Sequence, residues 1–481
     1  MKPHAQFRTL DKDLGRIGHA EAAQMHAFQP VWRLGLGVLA LVGALLLVLA
    51  LSGAASGTLA IGAGLIVAAW LGIAIGSNDV ANSLGPAVGA GAISLLPGLI
   101  LVAVAGLAGA MLAGDAVTSR LADGIVQVAP SISGSRGQLL MVAALIGAAT
   151  WITLATGIGL PVSTSHSIVG GIAGAGAVAL GLSAVGWSAV TMIALVWVAT
   201  PLVAGGLAGA LLVLLRTKVV DAPDRGTAAL RWLPGMVAAM SGLFAAYVAM
   251  LVSDDLTPGW LVALAVGVVG TGAYAVTRQR LMQELAVNPR KPGAKRLFRP
   301  ALLMSVVIMG FAHGANDVGN IAGPLSVILR AKAPAAQAGL VPLVVLAGCG
   351  LAIGIGTLLF GRRLVTMVGS GITRLNAGRA FCVSMATAAT VLMASGFGLP
   401  VSTTHVAVGG IFGVGFAREW LDRRRDARHQ PMPAEEARRR ILVRRSHVLT
   451  ITVAWLVTLP ITAGLGAAAC GLILWATGGG F

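Results

Sequence analysis

Apolar runs of eighteen or more residues recur along the chain, among them 34–54, 57–76, 234–252 and 338–360. Each is long enough to cross the ~30 Å hydrocarbon core of a bilayer as a helix. A soluble core of this size would show amphipathic periodicity instead. Composition agrees: 57% of the 481 residues are apolar and only 11% are charged, against about 25% charged in soluble proteins. The chain therefore reads as an all-α polytopic membrane protein. Its 66 glycines fit that reading, because small residues let membrane helices approach closely.

The net charge of +17 does not point to nucleic acid, since no basic stripe is interleaved with aromatics. The basic residues lie in loops instead. Residues 278–299 hold seven Lys/Arg against one Glu, and 417–446 hold ten Arg against five acids. Cytoplasmic loops look like this under the positive-inside rule. Cys349, Cys382 and Cys470 sit in apolar segments without ligand-like spacing and read as buried thiols. Residues 1–33 are polar and mixed in charge, unlike a signal peptide, so 34–54 is expected as a retained helix.

The chain also repeats itself. GIGLPVSTSH at 157–166 returns as GFGLPVSTTH at 396–405, and the twenty-residue stretches that begin there agree at 14 positions. Upstream, GSNDVANSLGP at 76–86 is matched by GANDVGNIAGP at 314–324. Downstream, Trp197, Thr200 and Pro201 are echoed more weakly by Trp455, Thr458 and Pro460. The order is the same each time, which marks a duplicated fold unit.

Six apolar segments separate the two Asn-Asp segments, so these cross the membrane in opposite directions. With a cytoplasmic N-terminus, the basic loops 216–233, 278–299, 361–379 and 417–446 all fall inside. The balanced loop 114–137 falls outside, as does the C-terminus. The expected architecture is two inverted-topology repeats with discontinuous helices or hairpins, about 12 core helices plus one extra N-terminal helix. Its parts are 1–56, a cytoplasmic segment and the extra helix; 57–215, the first repeat; 216–299, a linker with two transmembrane helices; and 300–477, the second repeat with its basic loop.

Inverted repeats place a site near the bilayer midplane, where discontinuous helices end. Gly157, Gly159 and Pro161 should stop the preceding helix, and Ser163 is a natural N-cap for a helix over 164–182. Unpaired N–H groups at such an end attract an anion without a basic side chain. Ser163, Thr164 and Ser165 add hydroxyl donors, and Ser402, Thr403 and Thr404 repeat them. The Asn-Asp segments bring the opposite sign. Asn78, Asp79 and Asn82 adjoin on one helical turn, as do Asn316, Asp317 and Asn320. An ionisable residue inside a membrane segment is costly and functional by default, and a carboxylate flanked by amides suits a small cation or a proton. Gly85-Pro86 and Gly323-Pro324 are expected to break each helix and free carbonyls. His166 and His405 fit proton handling and a structural role equally well. His313 faces Ile75 across the repeat and reads as local.

Simpler roles compete at each position. Asn and Asp can serve as interhelical hydrogen-bond glue, and membrane Ser and Thr often bond their own backbone. An embedded hydrolase would use Asp79 with Asp317, or Ser163 with His166, but catalysis needs differentiated roles and here each group occurs twice. A passive channel would not need buried carboxylates.

Together, the two Asn-Asp stretches and the two GLPVST stretches resemble the signatures of the PiT family of inorganic phosphate transporters. The resemblance spans about residues 57–477. It implies a twelve-helix core, cation-coupled phosphate uptake and a homodimer, with Asn78, Asp79, Asn316 and Asp317 joining the hydroxyls around anion and cations. The helix within 1–56 departs from the family pattern by turning the N-terminus inside. Sulfate permeases belong to the same family, so sulfate is the alternative substrate. A phosphate hydroxyl can donate to a buried Asp where sulfate cannot, and a site built on that bond discriminates. The reading is a symporter of the inner (plasma) membrane. It is not an enzyme, and it needs no cofactor or metal beyond its coupling ion, Na+ or H+, with Na+ at Asp79 and Asp317.

Overall fold

The computed structural model describes residues 33–40, 43, 56–126, 135–157, 162–253, 258–288, 294–330, 341–367, 376–426 and 445–476. Among the described residues, fourteen helices of nine residues or more carry the fold. The first half holds α1 (Ser56–Gly89), α2 (Leu95–Ala113), α3 (Asp115–Asp123), α4 (Ser135–Gly157), α5 (Thr164–Leu180) and α6 (Trp187–Leu215). Between the halves run α7 (Arg225–Val252) and α8 (Gly259–Val287). The second half holds α9 (Arg299–Asp317), α10 (Gly319–Arg330), α11 (Val341–Met367), α12 (Ala377–Gly396), α13 (Thr403–Asp426) and α14 (Arg445–Ala476). Ten stretches among the described residues are long and apolar enough to cross a membrane. The chain is a multi-pass membrane protein.

The pairing of helices is reciprocal between the halves. α1 packs on α11 while α2 packs on α9, and α5 packs on α14 while α13 packs on α6. A twofold relation between inverted repeats requires this exchange. Glycines make the approaches close enough. A Cβ on Gly314 would overlap the carbonyl oxygen of Gly106, and one on Gly76 would overlap that of Ile353. Gly76 and Gly314 are the first residues of the two repeated Asn-Asp stretches, so the repeat conserves a contact as well as a sequence.

Burial divides into two cores. One gathers α4, α5, α10 and residues 60–75 of α1; the other gathers α9, α12, α13 and residues 80–87 of α1. Asn78-Asp79 and Asn316-Asp317 therefore lie where the chain passes from one core to the other. α7 adds Ala229, Leu233, Val237 and Met240 to the second core, whereas α8 buries only Thr277 and Leu281. A helix this exposed and this apolar belongs against lipid.

Two expectations about helix breaks need correction. α1 continues through Pro86 to Gly89, and Pro324 lies inside α10. The second segment breaks earlier, at Val318. A proline ring is compatible with helical φ; what it removes is the N–H that would meet the carbonyl four residues back. The carbonyls so affected belong to Asn82 and Asn320. The helix expected over 164–182 ends at Leu180, where Gly181 at φ 91° turns the chain. The extra N-terminal helix is helical at 33–40 and at 43, and its remainder lies outside the described residues, as do Gly159 and Pro161. The cysteines are free and buried, as their apolar surroundings required.

Candidate functional site

α4 packs on α5 and α12 on α13 as two helical hairpins, and the two hairpin tips meet. Ser163 stands at extended φ −89°, ψ 124° and caps α5, its Oγ accepting from the His166 N–H at 3.2 Å. Ser402 does the same for α13, with the His405 N–H at 3.4 Å. Across the join, the Ser165 hydroxyl donates to the Val401 carbonyl at 2.9 Å. The His166 ring meets the His405 ring edge-on, centroids 4.7 Å apart. Trp197 of α6 stacks on His166 at 3.6 Å and donates its indole N–H to the Pro400 carbonyl at 2.8 Å. Two helix N-termini, each carrying partial positive charge, are thus held in one place.

The Asn-Asp turns close on these tips from both halves. Asn82 donates to Thr404 Oγ1 at 2.9 Å and to Asp79 Oδ1 at 3.4 Å, and Thr404 donates to the same Asp79 oxygen at 3.4 Å. In the other half Asn320 donates to Ser165 Oγ at 3.3 Å. Thr404 and Ser165 hold the same place in the repeated stretch, so these are one contact made twice, each time from one half to the other. Asn316 braces its own tip more rigidly. Its Nδ2 donates to the Val401 carbonyl at 2.7 Å and to Asp317 at 2.6 Å, while its Oδ1 accepts from the Val401 N–H at 3.1 Å and from Ser395 at 3.4 Å. Asn78, its counterpart, is half-buried and its Oδ1 has no partner among the described residues.

The hydroxyl triplets sort into three jobs. The first member caps the helix, and the third bonds the other half. The middle members, Thr164 and Thr403, are buried, and no side-chain hydrogen bond is recorded for either among the described residues. Of the six hydroxyls, these two carry no recorded side-chain bond that holds the fold together. Thr403→Val should therefore weaken substrate binding by about 1–3 kcal/mol, the range for one buried group left unpaired. Ser163→Ala should instead cost about 1 kcal/mol of stability through the lost cap. Equilibrium binding and thermal unfolding of both variants separate the effects; unchanged affinity in Thr403→Val would take that hydroxyl out of the site.

Two residues enter that the sequence alone did not place. His313 Nδ1 lies 3.0 Å from Asp317 Oδ2, one helical turn back, with both side chains 1% exposed. Its repeat partner Ile75 left no pattern to read. Trp197 was visible as part of the weaker downstream echo, but its contact with the hairpin tip was not. The halves thus differ in chemistry: Asp79 is held by Thr404 and Asn82, Asp317 by His313 and Asn316. Among the described residues no group of three His, Cys, Asp or Glu could hold a metal ion.

The chain's residues 75–466 match the profile of the "Phosphate transporter family". A "Putative phosphate permease" of Helicobacter pylori (strain J99 / ATCC 700824) is 37% identical over 86% of this chain and 80% of that protein. "Inorganic phosphate transporter 2-1, chloroplastic" of Arabidopsis thaliana is 31% identical over 81% of this chain and 68% of its own length. Among solved structures, "The sodium-dependent phosphate transporter" superposes with a TM-score of 0.74 at 28% identity, covering 86% of this chain and 99% of that one. None of these descriptions supports the sulfate alternative.

Proposed function

Since this chain belongs to the phosphate transporter family, a family of transporters and not enzymes, we propose that it imports inorganic phosphate by symport with Na+. The single observation behind the site is the meeting of two capped helix N-termini with two buried Asn-Asp turns. In this reading Thr164, Thr403 and the N-terminal N–H groups of α5 and α13 hold the phosphate oxygens. Asp79 and Asp317 hold the coupling cations, with Asn82, Asn320 and the carbonyls opposite the prolines as further oxygen ligands. Na+ is favoured because the similar solved structure is that of a sodium-dependent transporter. The His313–Asp317 contact supports a second reading of the coupling ion, a proton carried at that pair.

His166 and His405 serve as the aromatic join between the tips, which must slide or part when the site changes sides. Phosphate is selected over sulfate because a buried carboxylate accepts the phosphate hydroxyl, which sulfate lacks. The domain division given by the repeats, 57–215 and 300–477 about a linker at 216–299, describes the two moving halves. A homodimer in the inner membrane is part of the same reading.

Uptake of labelled phosphate into proteoliposomes tests it. Uptake should require an inward Na+ gradient, and unlabelled phosphate should compete more than tenfold better than sulfate, since the lost bond and unpaired acceptor exceed about 1.4 kcal/mol. Uptake driven by a pH gradient without Na+ selects the proton reading. Equal competition by sulfate overturns the phosphate assignment. Orientation is checked separately: a reporter inserted near Arg425 should be cytoplasmic and one fused after Phe481 should not. Both on one side would break the inversion.

A further inference from the structure

An arginine cluster lies at the far end of α6 and α13 from the hairpin tips. Arg216, just past the end of α6, pairs with Asp422 of α13 at 2.7 Å and with Asp221 at 3.5 Å. Arg418, one turn before Asp422, shares the same carboxylate at 3.5 Å. The Arg216, Arg418 and Asp422 side chains are only 17%, 23% and 22% exposed. Arg379, in the first turn of α12, is half-buried within electrostatic range of Arg418, Asp422 and Arg216. No hydrogen bond or ion pair of its guanidinium is recorded among the described residues. Arg216 and Arg418 thus share Asp422, Arg216 also reaches the more exposed Asp221, and Arg379 adds a third guanidinium without a carboxylate of its own, so one positive charge is left over.

Depth says what could balance it. Arg418 is fourteen residues along α13 from Thr404, about 21 Å at 1.5 Å per residue. With Thr404 near the midplane, the cluster falls beyond the ~15 Å half-thickness of the hydrocarbon and within the headgroup layer. The flanks carry interfacial side chains. Trp232 lies beneath Lys218 at 5.6 Å, and Trp420 beneath Arg424 at 3.9 Å, with Phe416 60% exposed one turn before. Tryptophan gathers at that level of a bilayer.

We propose that Arg216, Arg379 and Arg418 form a second anion site, separate from the transport site, for a phosphate-bearing group at the membrane boundary. The guanidinium fork matches phosphate oxygens two at a time, and basic recesses between membrane helices hold acidic lipid headgroups. The source of the phosphate is an acidic phospholipid or free phosphate. Either would tie α6, α12 and α13 together at their feet. Those helices carry Trp197, Ser395 and Thr403 at the transport site, so occupancy sets how freely the second hairpin moves against α6.

The test uses the full-length protein and has two arms. In the first, native mass spectrometry of protein offered equal phosphatidylglycerol and phosphatidylcholine counts the lipids retained. In the second, glycerol 3-phosphate, which carries the phosphate without acyl chains, is titrated while the unfolding temperature is followed. The wild type should retain phosphatidylglycerol at least fivefold over phosphatidylcholine. Arg379→Gln should lose that preference, Arg379→Lys should keep part of it, and Arg231→Gln, an exposed arginine nearby, should keep all of it. Stabilisation by glycerol 3-phosphate that Arg379→Gln removes, with no lipid preference, assigns the site to free phosphate. Should Arg379→Gln not fold, Arg418→Gln takes its place. Lipid preference and glycerol 3-phosphate response both unchanged by these variants would overturn the site.

Discussion

Asp79→Asn should reduce Na+-driven phosphate uptake to background while the protein stays folded. The amide oxygen can still accept from Thr404 and Asn82, which hold Asp79 Oδ1 at 3.4 Å each, so the shape of the site survives. What is lost is charge. A cation within about 4 Å of a carboxylate gains about 4 kcal/mol at the effective dielectric of a protein, close to three powers of ten in binding. Asp317→Asn should behave differently, because Asp317 also meets His313 at 3.0 Å. Removing that charge takes away the carboxylate facing a buried imidazole, a loss of about 1–3 kcal/mol for a buried polar group left without its partner. Asp317→Asn should therefore lose uptake and unfold at a lower temperature, whereas Asp79→Asn should lose uptake alone. Wild-type uptake with normal Na+ dependence in Asp79→Asn would remove that residue from coupling.

Gly314→Ala should be nearly as damaging, for a reason unrelated to charge. Its new Cβ would fall on the Gly106 carbonyl oxygen, a backbone atom that cannot rotate away. α9 would have to withdraw from α2, and overpacking of this kind costs about 1–3 kcal/mol. The shift would carry Asn316 and Asp317, two and three residues on, and pull Asn316 away from Val401. Folded yield and uptake should both fall. Gly206→Ala supplies the control, since nothing lies within 4 Å of its added Cβ. In a helix interior, alanine is favoured over glycine by about 0.8–1.0 kcal/mol, so that variant should be unharmed or slightly more stable. If Gly314→Ala folds and transports like Gly206→Ala, the close approach of α9 to α2 does not position the site.

Much of this was legible in the sequence because a bilayer restricts what a chain can do. Apolar runs of spanning length give helices, and the duplicated stretches give the symmetry. The repeated GLPVST stretches announce where each helix pair turns, and a carboxylate in an apolar segment marks itself as a candidate. Even the caps could be read, since Ser163 and Ser402 each precede a helix and cap it. The prolines at 86 and 324 misled, because a missing N–H is a local fact whereas a helix break depends on the packing around it.

The sequence by itself determined the helices, their reciprocal halves and the residue types at the site, for these follow from short-range chemistry and the solvent. Only the tertiary structure decided which hydroxyl does what. Ser165, Thr404, Thr164 and Thr403 look alike along the chain. Contacts over 155 and 322 residues of separation make Ser165 and Thr404 the links to Asn320 and Asn82, and leave Thr164 and Thr403 without a recorded partner. The tertiary structure alone also set His313 against Asp317 and gave the two halves different chemistry. A hydrogen bond depends on direction and distance to within a few tenths of an ångström, and those are fixed when helices from both halves pack, not when either is written.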